Sequence, residues 1–130
     1  MRRTPRCESS RAPRTWGTPH TSWQPLPDTL LTHPALRQVG LIVPVAPYGR
    51  GVSQRPWQRF ESQTGIPVVI DAAAAFENLV ERADLYLGSI PVVLSFHATK
   101  VLATGEGGAV VTTDGDLMLR SIQAMNFGFM

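Results

Sequence analysis

Hydrophobic positions along the chain gather into four short apolar runs: GLIVPV (Gly40 to Val45), IPVVID (Ile66 to Asp71), IPVVLSFH (Ile90 to His97) and GAVVTT (Gly108 to Thr113). Each is rich in β-branched residues and bounded by Gly or Pro, which predicts a buried strand. Pro44 demotes the first run, because proline has no N–H to donate to a ladder. Between the runs the period changes. In SQRPWQRFESQTG, Trp57 and Phe60 stand three apart and share one helical face. Ser53 can cap that helix, Pro56 suits its first turn, and Gly65 can close it in a left-handed conformation. AAAAFENLVERA is again helical in character. Asp114 caps a last helix in which Leu117, Met118, Ile122 and Met125 recur at helical spacing. LLTHPALRQV starts as a helix, and Pro34 limits it to a short turn. APYGRGVSQ, with one proline and two glycines, reads as a loop.

Apolar strands alternating with helices predict an α/β fold. Its sheet is expected to be mostly parallel, with flanking helices covering both faces. At 130 residues the chain suits one domain. Its 43% hydrophobic content is ordinary for a soluble protein. No apolar run approaches the roughly 18 residues of a membrane helix, so no membrane partner is expected. Cys7 is the single cysteine, which leaves no internal disulfide and no multi-cysteine zinc site. A reducing, cytoplasmic location is therefore expected.

The formal charge of +2 conceals two halves. Residues 1–20 hold five arginines against Glu8, whereas residues 21–130 hold seven basic and nine acidic groups. The basic character thus belongs to the leader. It has no apolar core of its own, and it reads as disordered or extraneous to the domain at 21–130. A nucleic-acid partner is not expected, because a phosphate-tracking surface needs its cations fixed on one folded face.

Three polar residues fall at the carboxyl ends of predicted strands, where α/β proteins keep their chemistry. They are Asp71, Ser95 and, just beyond, Lys100, which is the only lysine. A lysine amine can form an imine with an aldehyde, and a carboxylate can pair with a protonated ring nitrogen. Each residue alone has a plainer reading, as a surface charge or a helix cap. Their combination points to chemistry.

IPVVIDAAAAF, then IPVVLSFHATKVLATGEGGAVVTTD, then MNFGF closely resembles the DegT/DnrJ/EryC1/StrS family. The resemblance covers about residues 21–130 and includes HPALRQVGLIVPVAPYG. It implies a partial large domain of fold type I and the cofactor pyridoxal 5′-phosphate (PLP). It also implies transfer of an amino group from an amino acid to a nucleotide-linked keto-sugar, in a homodimer. By resemblance, Lys100 carries the cofactor as a Schiff base and moves protons, Asp71 bonds the pyridine nitrogen, and Ser95 contacts the phosphate. Arginine could not replace Lys100, since it stays charged and forms no imine. His97 is read as packing or bonding near the lysine, and Glu106 as a turn residue in GEGG, which leads into an antiparallel strand.

The sequence also departs from the family pattern. Where many members place Gln or His beside the cofactor ring, three residues after the aspartate, this chain has Ala74. The family's amino-terminal phosphate turn and stacking aromatic have no match, nor do its small domain and the asparagine lent across the dimer. The chain is therefore read as the central slice of such a large domain. Two alternatives stand beside the aminotransferase. One is a dehydratase, which the family builds with histidine in place of the lysine. The other is an inactive or binding-only remnant. A slice with uncovered edges and apolar faces should be marginally stable and self-associating. Sedimentation velocity is expected to show association rising with concentration; a clean monomer with a sharp cooperative melt would contradict this.

Overall fold

The computed structural model describes residues 26–126. The leader at 1–20, the predicted start of order at Thr21 and most of the NFGFM terminus lie outside them. The described chain runs α1 (Pro27–Leu30), a 3-10 turn (Leu36–Gln38), a second turn (Pro47–Gly49), α2 (Gln54–Thr64) and β1 (Ile70–Asp71). It continues through α3 (Phe76–Glu81), α4 (Ala83–Tyr86), β2 (Val92–Ser95), β3 (Gly108–Val111) and α5 (Gly115–Met125).

The named strands form one sheet in the order β1-β2-β3, parallel between the first two and antiparallel between the last two. The first predicted run adds a fourth strand in rudimentary form. Residues 42 and 45 bridge Val68 and Asp71 in parallel. Its ladder is nearly regular: Ile42 N donates to Pro67 O, Val69 N to Ile42 O, Asp71 N to Pro44 O, and Ala46 N to Asp71 O. The one missing rung is the bond that residue 44 would donate to Val69 O. Pro44 has no N–H, so the pairing breaks into two bridges instead of a continuous strand.

The core occupies one face of this sheet. Val68, Ile70, Val92 and Leu94 alternate inward and meet Trp57 and Phe60 of α2, which are 2% and 1% exposed. The two rings contact edge to face with centroids 5.8 Å apart, a favoured aromatic geometry. Polar bonds fix α2 at both ends. Gln54, almost fully buried, donates through Nε2 to Tyr86 O and Ile90 O and accepts from Ile90 N. Glu61 Oε1 accepts from Val68 N. Gly65 ends the helix at φ 69°, and its N–H bonds Glu61 O. Ser53 stands at the predicted cap position, but its side chain makes no cap bond.

The expectation of cover on both faces does not hold among the described residues. The second face carries Val43, Val45 and Val93, which are 48%, 49% and 37% exposed. α5 is capped as expected, with Leu117 N donating to Asp114 Oδ1 at 3.0 Å. Yet none of its residues is buried, and Met125 is 64% exposed. A periodic apolar pattern specifies which helix face could be buried; burial itself needs an opposing surface. No helix among the described residues is long and apolar enough to cross a membrane.

Phe60→Ala removes the largest fully buried side chain at the helix–sheet contact. The expected loss is about 3–5 kcal/mol, a large share of a small domain's stability. Urea denaturation followed by far-ultraviolet circular dichroism checks it.

Candidate functional site

The site begins with strand register. Asp71 of β1 lies opposite Val93 of β2, and Ser95 follows Val93 by two residues. Side chains alternate along a strand, so Asp71 and Ser95 share the face opposite the α2 core. Val45, which bridges Asp71 on its other side, lies on that face too. Parallel pairing sets both polar residues near the carboxyl ends of neighbouring strands, about two residues of rise (~7 Å) apart along the strand direction.

The backbone of Asp71 is bonded on one side to Pro44 O and Ala46 N. Its carboxylate is oriented by Oδ1, which accepts from Ala73 N at 3.0 Å. Among the described residues nothing bonds Oδ2. The side chain is half-buried. It is thus a fixed carboxylate with one oxygen able to receive a donor. Ser95 is also half-buried, and its Oγ accepts from His97 N at 3.4 Å, leaving the hydroxyl hydrogen for another acceptor. In the turn after Asp71, Ala75 N bonds Ala72 O, and Ala74 is exposed. Ala74 therefore offers the site only backbone atoms.

Beyond Ser95 the chain leaves the sheet as a loop, 96–107, that returns as β3. Three backbone bonds close it: Phe96 N to Gly107 O, Thr104 N to Phe96 O, and Ala98 N to Gly105 O. The Phe96 ring packs edge to face on Phe76 of α3, with centroids 6.0 Å apart. Lys100 is half-buried on this loop, and its N–H bonds His97 O at 2.8 Å. No hydrogen bond or ion pair to a described residue engages its Nζ. Lys100 and Asp71 are not bonded to each other, so both remain able to engage a third species.

Sequence reasoning missed two features near this edge. Tyr48 adopts φ 53°, unusual for a residue with a side chain, and is 87% exposed. It sits two residues past Ala46, the residue bonded to Asp71 O. The Pro and Gly around it signalled only a loop. The second feature is the set of contacts His97 makes with Thr99 and Glu106. Pairing across a loop leaves no local sequence signal. An open groove of roughly 600 Å³ beside Arg55, Gln58, Arg59, Ser62 and Gln63 lies along α2. It belongs to the helix layer that covers the other sheet face and is separate from this site. No cluster of three or more His, Cys, Asp or Glu suited to a metal occurs among the described residues.

The sequence matches the model of the DegT/DnrJ/EryC1/StrS aminotransferase family over residues 28–130. It is 36% identical over 73 residues to Protein Rv3402c of Mycobacterium tuberculosis, covering 55% of this chain and 18% of that one. It is 33% identical over 88 residues to a dTDP-4-amino-4,6-dideoxy-D-glucose transaminase of Shigella dysenteriae, covering 68% of this chain and 24% of the other. The structure resembles that of DesI crystallised with its TDP-sugar product, with a TM-score of 0.62 and 33% identity over 79% of this chain and 26% of DesI. The chain thus spans only about a quarter or less of these relatives' lengths.

Gly108 faces Ser95 across the β2–β3 pair, and a Cβ there would lie 2.5 Å from Leu94 O. Gly108→Ala is therefore expected to push the strands apart and cost on the order of 1–3 kcal/mol. Hydrogen exchange should show lost protection at the Phe96 and Ala98 amides. Unchanged exchange would contradict the close approach.

Proposed function

The chain belongs to the DegT/DnrJ/EryC1/StrS aminotransferase family, whose members depend on PLP, and on that premise we propose that it carries the lysine-bearing cofactor site of a sugar aminotransferase. The observation that supports this most is the shared face of Asp71 and Ser95, with Lys100 on the loop that starts from Ser95.

These residues fit the cofactor. When bound, PLP supplies an electron sink that allows an amino group to leave an amino acid and be placed on a keto acceptor. The carboxylate of Asp71, with Oδ2 unengaged, would pair with the cofactor's ring nitrogen and favour its protonated form. Ser95 Oγ would be a donor for the cofactor's phosphate. Lys100 Nζ would be the covalent anchor for the cofactor's aldehyde and, when free, would be the base that takes a proton from the donor's α-carbon. The Shigella relative's name points to a nucleotide-linked amino-sugar product. We extend that to this chain's parent activity: an amino-acid donor and a nucleotide-linked keto-sugar acceptor, acted on by a homodimer. Domain limits at 21–130 belong to the same reading.

Exposed Ala74, which gives the ring no polar side chain, favours a second reading: a chain that keeps the family motif without its chemistry. One experiment separates the two. PLP is titrated into the purified chain, the product is reduced with borohydride, and the adduct is located by peptide mass spectrometry. Lys100 is the only lysine, so the amino terminus is its one competitor. A saturable adduct at Lys100 is expected. In Asp71→Asn, which keeps the oxygen that accepts from Ala73 N, affinity should fall about ten- to hundredfold, the worth of a charge-assisted bond. An adduct no stronger than that at the amino terminus would select the inactive reading.

A further inference from the structure

The contacts of His97 carry one step beyond the cofactor site. Lys100 sits at the end of a tight turn whose first residue is His97, since Lys100 N bonds His97 O at 2.8 Å. The imidazole Nδ1 accepts from Thr99 N at 3.3 Å and lies 3.0 Å from Thr99 Oγ1. A ring nitrogen that accepts from a backbone N–H carries no hydrogen, so the hydrogen sits on Nε2. Nε2 faces Glu106 Oε1 at 3.5 Å. One ring therefore links the outgoing limb of the 96–107 loop, at Thr99, to its returning limb, at Glu106.

This link adds little to global stability. The His97 and Glu106 side chains are 47% and 86% exposed, and a polar contact between such exposed groups is offset by the water each would otherwise bond. Its effect is local. Ordering the Thr99 backbone fixes the direction in which the next residue leaves the chain, and that residue is Lys100. We propose that His97 is a positioning residue, a staple across the loop that aims the Lys100 amine at the open sheet face. The functional half of this rests on the reading of Lys100 as the cofactor lysine. His97 itself exchanges no proton with substrate in this role.

The ring's two contacts can be separated by substitution. His97→Ala removes both. His97→Asn retains an acceptor close to the Nδ1 position and loses the reach to Glu106. Glu106→Gln retains an oxygen for Nε2–H. The purified chain is tested in two ways. Hydrogen exchange at the Thr99 and Lys100 amides reads the loop without any cofactor. The rate of borohydride-fixed PLP capture at Lys100, compared with PLP affinity, reads the aim of the amine.

The expected result for His97→Ala is faster exchange at both amides and capture slowed about tenfold at saturating PLP, with affinity little changed. His97→Asn, which keeps the Thr99 contact without the reach to Glu106, should recover only part of both, and Glu106→Gln should match the wild type. Unchanged circular dichroism excludes general unfolding. If exchange and capture in His97→Ala equal those of the wild type, the staple is overturned and the cofactor reading stands. Equal losses in the Ala and Asn variants, or full recovery in the Asn variant, also overturn it, because one of the ring's two contacts would then do nothing. If the wild type captures no PLP at Lys100, the cofactor reading fails and the aiming role with it, whatever the exchange data show.

Discussion

The parallel register of β1 on β2 governs the other features of this chain. With Ile70 opposite Val92 and Asp71 opposite Val93, alternation sends one set of residues under α2 and the other to the open face. A slip of one residue would bury the Asp71 carboxylate among Trp57 and Phe60 and expose Ile70 instead. Burying an unpaired carboxylate is costly, so the apolar core enforces the polar site. Core burial and the open placement of Asp71 are two consequences of one pairing.

The helix layer guards that register from the covered side. Gln54 joins the start of α2 to the Ile90 backbone just ahead of β2, and Glu61 joins its later part to Val68 just ahead of β1. Each bond ties the helix to the lead-in of a different strand. These buried bonds resist sliding, because a shift would leave amide and carbonyl groups unpaired.

Beyond β2, order is handed from sheet to loop. Closure of 96–107 by backbone bonds lets Lys100 stand off the sheet on a short, tied segment while keeping its amine unengaged by any described residue. Its amine is thereby left able to engage a species from outside the described residues. The close approach of Gly108 to Leu94 O anchors the return limb. The small residue there follows from backbone spacing.

Much was legible from the sequence because it depends on local rules. The four apolar runs, the α2 face of Trp57 and Phe60, the left-handed Gly65 and the Asp114 cap follow from side-chain period, backbone freedom and short-range bonds. Pro44 likewise signalled a weakened first strand, and strand alternation puts Asp71 and Ser95, which the family motif singles out, on one face. What remained depends on pairs distant in the chain. Gln54 as a buried link, the open second face, the bare flank of α5 and the ring of His97 between Thr99 and Glu106 follow from which surfaces meet. A period of two or 3.6 states what a segment can bury. Only the assembled structure decides whether anything lies opposite, and so where polar groups can find their partners.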